Sequence, residues 1–151
     1  MNTEHVLAHR DRTRQLVGYW VLAVLGAMPF VVQPFFLGVM SAEFSLSPDE
    51  LGYIASADVL GIVLASFSGF WWLNRFSFKR LIGLSCTVMV MGYAALAMTE
   101  TFQQVFILRV VAGIFGHGIA FSLGTALLCR TERPDRAIAI SVVEEVNGYL
   151  V

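Results

Sequence analysis

The chain has 151 residues, 57% of them hydrophobic and 14% charged, with a mean hydropathy of +0.71; soluble domains average roughly 45–50% apolar and about 25% charged. This composition excludes an ordinary soluble domain, and it excludes disorder, whose signature is low hydrophobicity with high net charge. Ten basic and eleven acidic residues leave a net charge of −1, without the clustered basic surface that nucleic-acid binding requires.

A membrane-spanning helix needs about 20 mostly apolar residues, because it rises 1.5 Å per residue through a core about 30 Å thick. The first such run is Leu16 to Met40, preceded by Arg10, Arg12 and Arg14. Its 25 uncharged residues exceed the roughly 7–15 of a secretory signal's apolar region, so it is read as a span. Within it Pro29 and Pro34 flank Gln33, with Phe30, Phe35 and Phe36 around them. Each proline frees a carbonyl one turn back, and broken spans are tolerated where they line a cavity. Gln33 is therefore expected either to face a polar solute or to bond its own backbone at a lipid-facing kink.

Ser47-Pro48-Asp49-Glu50 reads as a capping box with proline at the first helical position. It opens the second span, Leu51 to Leu73, which holds one acid, Asp58. The third span, Leu81 to Met98, has neither charge nor proline and suits a peripheral helix. Thr101 with Gln104 repeats the capping signal before the fourth span, Phe102 to Leu128, which contains Arg109 and His117. A fifth apolar stretch starts at Ala137, carries Glu144 and Glu145, and reaches Val151 after 15 residues, too few to cross unaided. Short loops make consecutive spans antiparallel neighbours. The expected fold class is an all-α integral membrane protein: one domain over 1–151, an antiparallel bundle of four helices plus a truncated fifth.

Other chemistry is sparse. Cys86 and Cys129 form neither a disulfide framework nor a metal spacing and are expected as small buried apolar side chains. His5 and His9 are four apart but lack the glutamate of a zinc-protease motif, and no glycine-rich phosphate loop or nucleophile elbow occurs. No enzyme activity, metal or cofactor is expected.

The basic residues set the orientation. Arg10, Arg12 and Arg14 precede span one, Arg75, Lys79 and Arg80 follow span two, and Arg130, Arg133 and Arg136 follow span four. The intervening loops carry only acids, Glu43, Asp49, Glu50 and Glu100. Nine of ten basic residues thus share one side, which the positive-inside rule makes cytoplasmic, so a multi-pass protein of the cell's inner (plasma) membrane with its amino terminus in the cytoplasm is expected. Tyr19, Trp20, Trp71 and Trp72 are expected near that interface and Tyr53 near the other.

The tenth basic residue, Arg109, is inside the membrane. Small residues let helices approach closely in lipid, and they recur at four-residue spacing in span two (Ala57, Gly61, Ala65, Gly69) and span four (Ala112, Gly116, Ala120, Gly124, with Gly113). Arg109 lies within roughly 60° of the span-four set and so points into the bundle. Asp58 and Arg109 are both roughly 10 Å deep from the outer side, candidates for an ion pair or a shared aqueous site. With His117 deeper, and Glu144 and Glu145 reaching a similar depth from the other side, the titratable groups form a ladder of the kind that serves proton or ion pathways. A static Asp58–Arg109 pair that fixes packing, and a His117 satisfied by a backbone carbonyl, are the alternatives.

The loop Asn74-Arg75-Phe76-Ser77-Phe78-Lys79-Arg80 resembles the signature of the major facilitator superfamily, Gly-x-x-x-Asp-Arg-x-Gly-x-Arg/Lys-Arg/Lys. Arg75, Lys79 and Arg80 match; Phe70, Asn74 and Ser77 stand where the pattern has Gly, Asp and Gly. Arg109-Val110-Val111-Ala112-Gly113 is similar to the family's Arg-x-x-Gln-Gly motif, with Ala112 for Gln. The resemblance covers the family's first five helices of an expected twelve. It implies a secondary transporter in which two six-helix halves rock about a central site. Helices one and four would line that site, fitting Gln33, Arg109 and His117, and Arg109 would bind an anionic substrate or take part in proton coupling. Asn74, Arg75, Ser77, Lys79 and Arg80 would act in the conformational switch. The expected function is proton-coupled transport of a small organic solute, with the lipid bilayer, protons and missing carboxy-terminal helices as partners, and the truncated chain inactive alone. A small homo-oligomeric four-helix pump and a membrane protein that docks another membrane protein are the alternatives.

Overall fold

The computed structural model describes residues 3–131 with 134, 135, 138 and 139, and side chains from Arg14 onward. Glu144 and Glu145 lie outside the described residues, as do the side chains of Arg10, Arg12, Arg133 and Arg136. The described residues are helical with short turns and contain no strand: α1 is Thr3–Phe44, α2 Pro48–Trp72, α3 Phe78–Leu96, α4 Phe102–Val111 and α5 Ile119–Leu128, with a π-helical segment, Ala112–Gly118, joining α4 to α5. Four of the resulting segments are long and apolar enough to cross a bilayer: Arg14–Phe44, Pro48–Trp72, Phe78–Leu96 and Phe102–Leu128.

The boundaries follow local chemistry. In α1 the helix continues past the expected end at Met40 to Phe44 and stops where Ser45 takes the left-handed conformation, φ 49°, a common helix terminator. The capping box before α2 is complete: Ser47 Oγ accepts from the Glu50 amide at 3.3 Å and Glu50 Oε2 accepts from the Ser47 amide at 2.9 Å. Before α4 the box is only half made. Thr101 Oγ1 accepts from the Gln104 amide, while Gln104 Oε1 accepts from the amide of Glu100 instead of Thr101. The third span is shifted from its expected place by two to three residues, to Phe78–Leu96.

Span four is the most buried of the four and α3 the least. The small-residue faces meet as their spacing requires. Ala57, Gly61, Ala65 and Gly69 of α2 and Ala112, Gly113, Gly116, Ala120 and Gly124 of span four are all buried. A Cβ placed on Gly61 would stand 2.6 Å from the backbone carbonyl carbon of Gly113, so the two backbones touch there without intervening side chains. Below this contact Leu22, Trp72, Leu81, Ile119, Ala120, Leu123 and Leu127 form the main apolar cluster.

Trp72 joins that cluster, its Nε1 donating to Ser68 Oγ at 3.1 Å, while Trp71 stands exposed. One expectation is corrected here. Both Cys86 and Cys129 are exposed on the chain's surface and not buried. In an apolar solvent a lipid-facing position accepts the same small side chains as a core position, so hydrophobicity does not separate the two.

Candidate functional site

Arg109 is in the last turn of α4, on the side that meets α2, and Asp58 is near the middle of α2. Both are buried, at 4% and 1% exposure, and their side chains form an ion pair. The third wall comes from α1: the Arg109 guanidinium carbon lies 4.2 Å from the centre of the Phe36 ring, within range of a cation–π contact. Arg109 Nε and Asp58 Oδ1 are buried without a hydrogen-bond partner among the described residues. The pair therefore keeps one open donor and one open acceptor side by side in a low-dielectric setting. There, electrostatic interactions are strong and unmet polar groups are costly.

Gln33 Nε2 donates to the Ala55 carbonyl of α2 at 2.8 Å, close to Asp58 in the same helix. It is thus a strap between α1 and α2 beside the ion pair and bonds a neighbouring helix instead of its own backbone.

His117 sits in the π-helical segment and touches two other spans. Its Nδ1 donates to the Leu25 carbonyl of α1 at 3.1 Å, and Tyr93 of α3 bonds its Nε2 at 3.1 Å, the two rings meeting edge to face with centroids 5.8 Å apart. Ser85, also on α3, donates to the Gly116 carbonyl at 2.8 Å. The third span, the least buried of the four, therefore supplies two polar contacts to span four. Tyr93 and Ser85 were not identified by sequence reasoning, and Phe36 was singled out there beside Gln33 but not as a neighbour of Arg109. The π-helix, a feature found frequently at functional sites, was not identified either.

The loop after α2 is separate from this site. Asn74 Nδ2 donates to the Phe70 carbonyl at 3.4 Å, and Arg75 stacks over the Trp71 ring at 5.0 Å. Ser77 caps α3 without a side-chain bond, Lys79 and Arg80 are exposed, and Arg130 from the end of span four lies over Phe78 at 5.4 Å. Among the described residues no three His, Cys, Asp or Glu side chains group as a metal site.

The family described as Major Facilitator Superfamily matches residues 19–147, which takes in all but the first few residues of span one, the other three spans and the whole buried site. The chain belongs to the Major Facilitator Superfamily. Within the superfamily it is similar to the cis,cis-muconate transport protein of Acinetobacter baylyi (strain ATCC 33305 / BD413 / ADP1), 27% identical over 107 residues, a region covering 71% of this chain and 26% of that protein. The chain thus spans about a quarter of the length of the curated relative it matches. No solved structure matches it. Superfamily membership and the four apolar helices mark a multi-pass membrane protein in contact with the lipid bilayer.

Proposed function

We propose that this bundle is the amino-terminal part of a proton-coupled secondary transporter for a small organic solute, with its amino terminus on the cytoplasmic side of the inner membrane. The carrying observation is the buried Asp58–Arg109 pair under Phe36, which retains an open donor and an open acceptor. Ionisable groups at membrane depth are costly and mark substrate and ion pathways. A proton arriving at Asp58 neutralises it and releases Arg109 to hold an anionic solute; loss of that proton re-forms the pair and expels the solute. Gln33 and His117 flank this exchange from α1 and the π-helical segment. Glu144 and Glu145 would extend the pathway toward the cytoplasm. Asn74, Arg75, Ser77, Lys79 and Arg80 belong to the switch between access states, and the remaining helices of the superfamily's second half complete the cavity.

The muconate transport relative suggests a carboxylate as probe. The test is uptake of labelled cis,cis-muconate into proteoliposomes under an inward proton gradient, for this chain alone and for this chain followed by the relative's remaining helices. No uptake by the chain alone and saturable uptake by the fusion are expected, the latter abolished by a protonophore. Uptake by the chain alone would overturn its dependence on further helices, and uptake insensitive to the protonophore would overturn proton coupling.

A further inference from the structure

A proline at position i cannot donate the amide bond to the carbonyl at i−4. In α1 this deprives the Leu25 carbonyl, one turn before Pro29, of its helical donor. The carbonyl is not left open, because His117 Nδ1 reaches it from span four at 3.1 Å. A carbonyl oxygen only accepts, so the imidazole hydrogen is on Nδ1. Nε2 of the neutral ring must then accept, and the Tyr93 hydroxyl donates to it at 3.1 Å. The hydrogen bond made by one ring nitrogen sets the role of the other, so Tyr93 fixes the tautomer that serves Leu25.

The two sides of Pro29 are held in different ways. On the amino-terminal side α1 meets α5 backbone to backbone: Gly26 abuts Phe121, and a Cβ on Gly124 would stand 2.6 Å from the Ala23 nitrogen. On the carboxy-terminal side α1 attaches by side chains, Gln33 to the Ala55 carbonyl and Phe36 against Arg109, while Phe35 is 75% exposed and Gly38 has nothing within 4 Å. A rigid lower half and a lightly held upper half meet at the residue where the backbone ladder is interrupted. Hinges of this kind absorb a change at a few residues while the packed elements move as bodies.

We infer that His117 is a latch on a hinge at Pro29: it makes the hydrogen bond that the proline cannot, with Tyr93 as the positioning residue that keeps the hydrogen on Nδ1. Ser85 braces the latch from α3 through the Gly116 carbonyl, next to His117. Releasing the latch lets the upper half of α1 swing and carry Gln33 and Phe36 away from the Asp58–Arg109 pair. This device follows from α1, α3 and span four alone and stands whatever solute the site takes.

The test uses the full chain in lipid nanodiscs with Cys86→Ser and Cys129→Ser, spin-labelled at Gly38→Cys and Met98→Cys, and reads the distance distribution by pulsed electron resonance. Asparagine places an amide nitrogen near the position of Nδ1, and glutamine places one near Nε2. His117→Asn is therefore expected to keep the wild-type distribution. His117→Gln should raise the swung population roughly fivefold, the factor that a lost net hydrogen bond gives. Adding Pro29→Ala, which restores the missing amide, should return His117→Gln to the wild-type distribution. Tyr93 is half-exposed, so Tyr93→Phe tests the same latch at a site tolerant of substitution, and it should broaden the distribution in the same direction. An unchanged distribution in His117→Gln or Tyr93→Phe, equal broadening in His117→Asn, or no rescue by Pro29→Ala would each overturn the latch.

Discussion

Asp58→Asn alone is expected to destabilise the bundle by about 3–5 kcal/mol, the cost of leaving one member of a buried ion pair without its partner. Arg109 cannot relieve that cost by losing its proton, since a guanidinium stays charged in proteins. Among the described residues its ion pair is with Asp58, and its neighbours Phe36 and Tyr93 supply no second carboxylate. Arg109→Gln is expected to cost less, because the orphaned Asp58 carboxylate can take up a proton and become neutral. The double variant Asp58→Asn with Arg109→Gln should recover most of the loss, since two neutral amides fit the volume of the pair and can bond each other. Unfolding by sodium dodecyl sulfate titration in mixed micelles measures all three. Additive losses in the double variant would show that the two side chains do not act as a pair.

Gly61→Ala should have the next largest effect, a destabilisation of about 2–3 kcal/mol, in the upper part of the range for overpacked sites. The added methyl would stand 2.6 Å from the Gly113 carbonyl carbon and 2.8 Å from the Ile114 nitrogen, and backbone cannot step aside as a flexible side chain can. The helices must separate at the level where Asp58 meets Arg109: a Cβ on Gly113 itself would lie 3.0 Å from the Asp58 carbonyl oxygen. Gly52→Ala is the control, since a methyl there meets nothing within 4 Å; it should be neutral or slightly stabilising, because alanine favours the helix over glycine by up to about 1 kcal/mol. Equal effects at Gly52 and Gly61 in the same titration would sink the close-contact account.

These two effects were legible in the sequence because they depend on spacing alone. Residues four apart share a helix face, so Ala57, Gly61, Ala65 and Gly69 could only form one smooth stripe, and comparable depth in antiparallel neighbours brought Asp58 level with Arg109. The start of α2 was legible for a local reason, the reciprocal bonds of Ser47 and Glu50. The π-helical segment was not, because small residues four apart, Ala112, Gly116, Ala120 and Gly124, share a face in a widened turn as well as in an α-helix; the cluster Gly113, Gly116, Gly118 was the available signal. The partner of His117 was half legible. Pro29 announces a free carbonyl at Leu25, but nothing in a one-dimensional pattern says which helix supplies the donor. Tyr93 was missed because no acid or base lies near it in the apolar run Leu81 to Met98, and the partner of Gln33 was missed because it is a backbone atom of another helix. Cys86 and Cys129 were misplaced because apolar residues look alike whether they face lipid or protein.

The central claim is that the Asp58–Arg109 pair works in transport and is more than a packing device. The direct measurement is proton-driven muconate uptake by the fusion of this chain with the relative's remaining helices, comparing wild type with the double variant Asp58→Asn, Arg109→Gln after SDS titration has shown the double variant to be folded. The account predicts a folded protein whose gradient-driven uptake is lost. A folded double variant that takes up solute at the wild-type rate would contradict it and leave the pair a structural tie between α2 and span four.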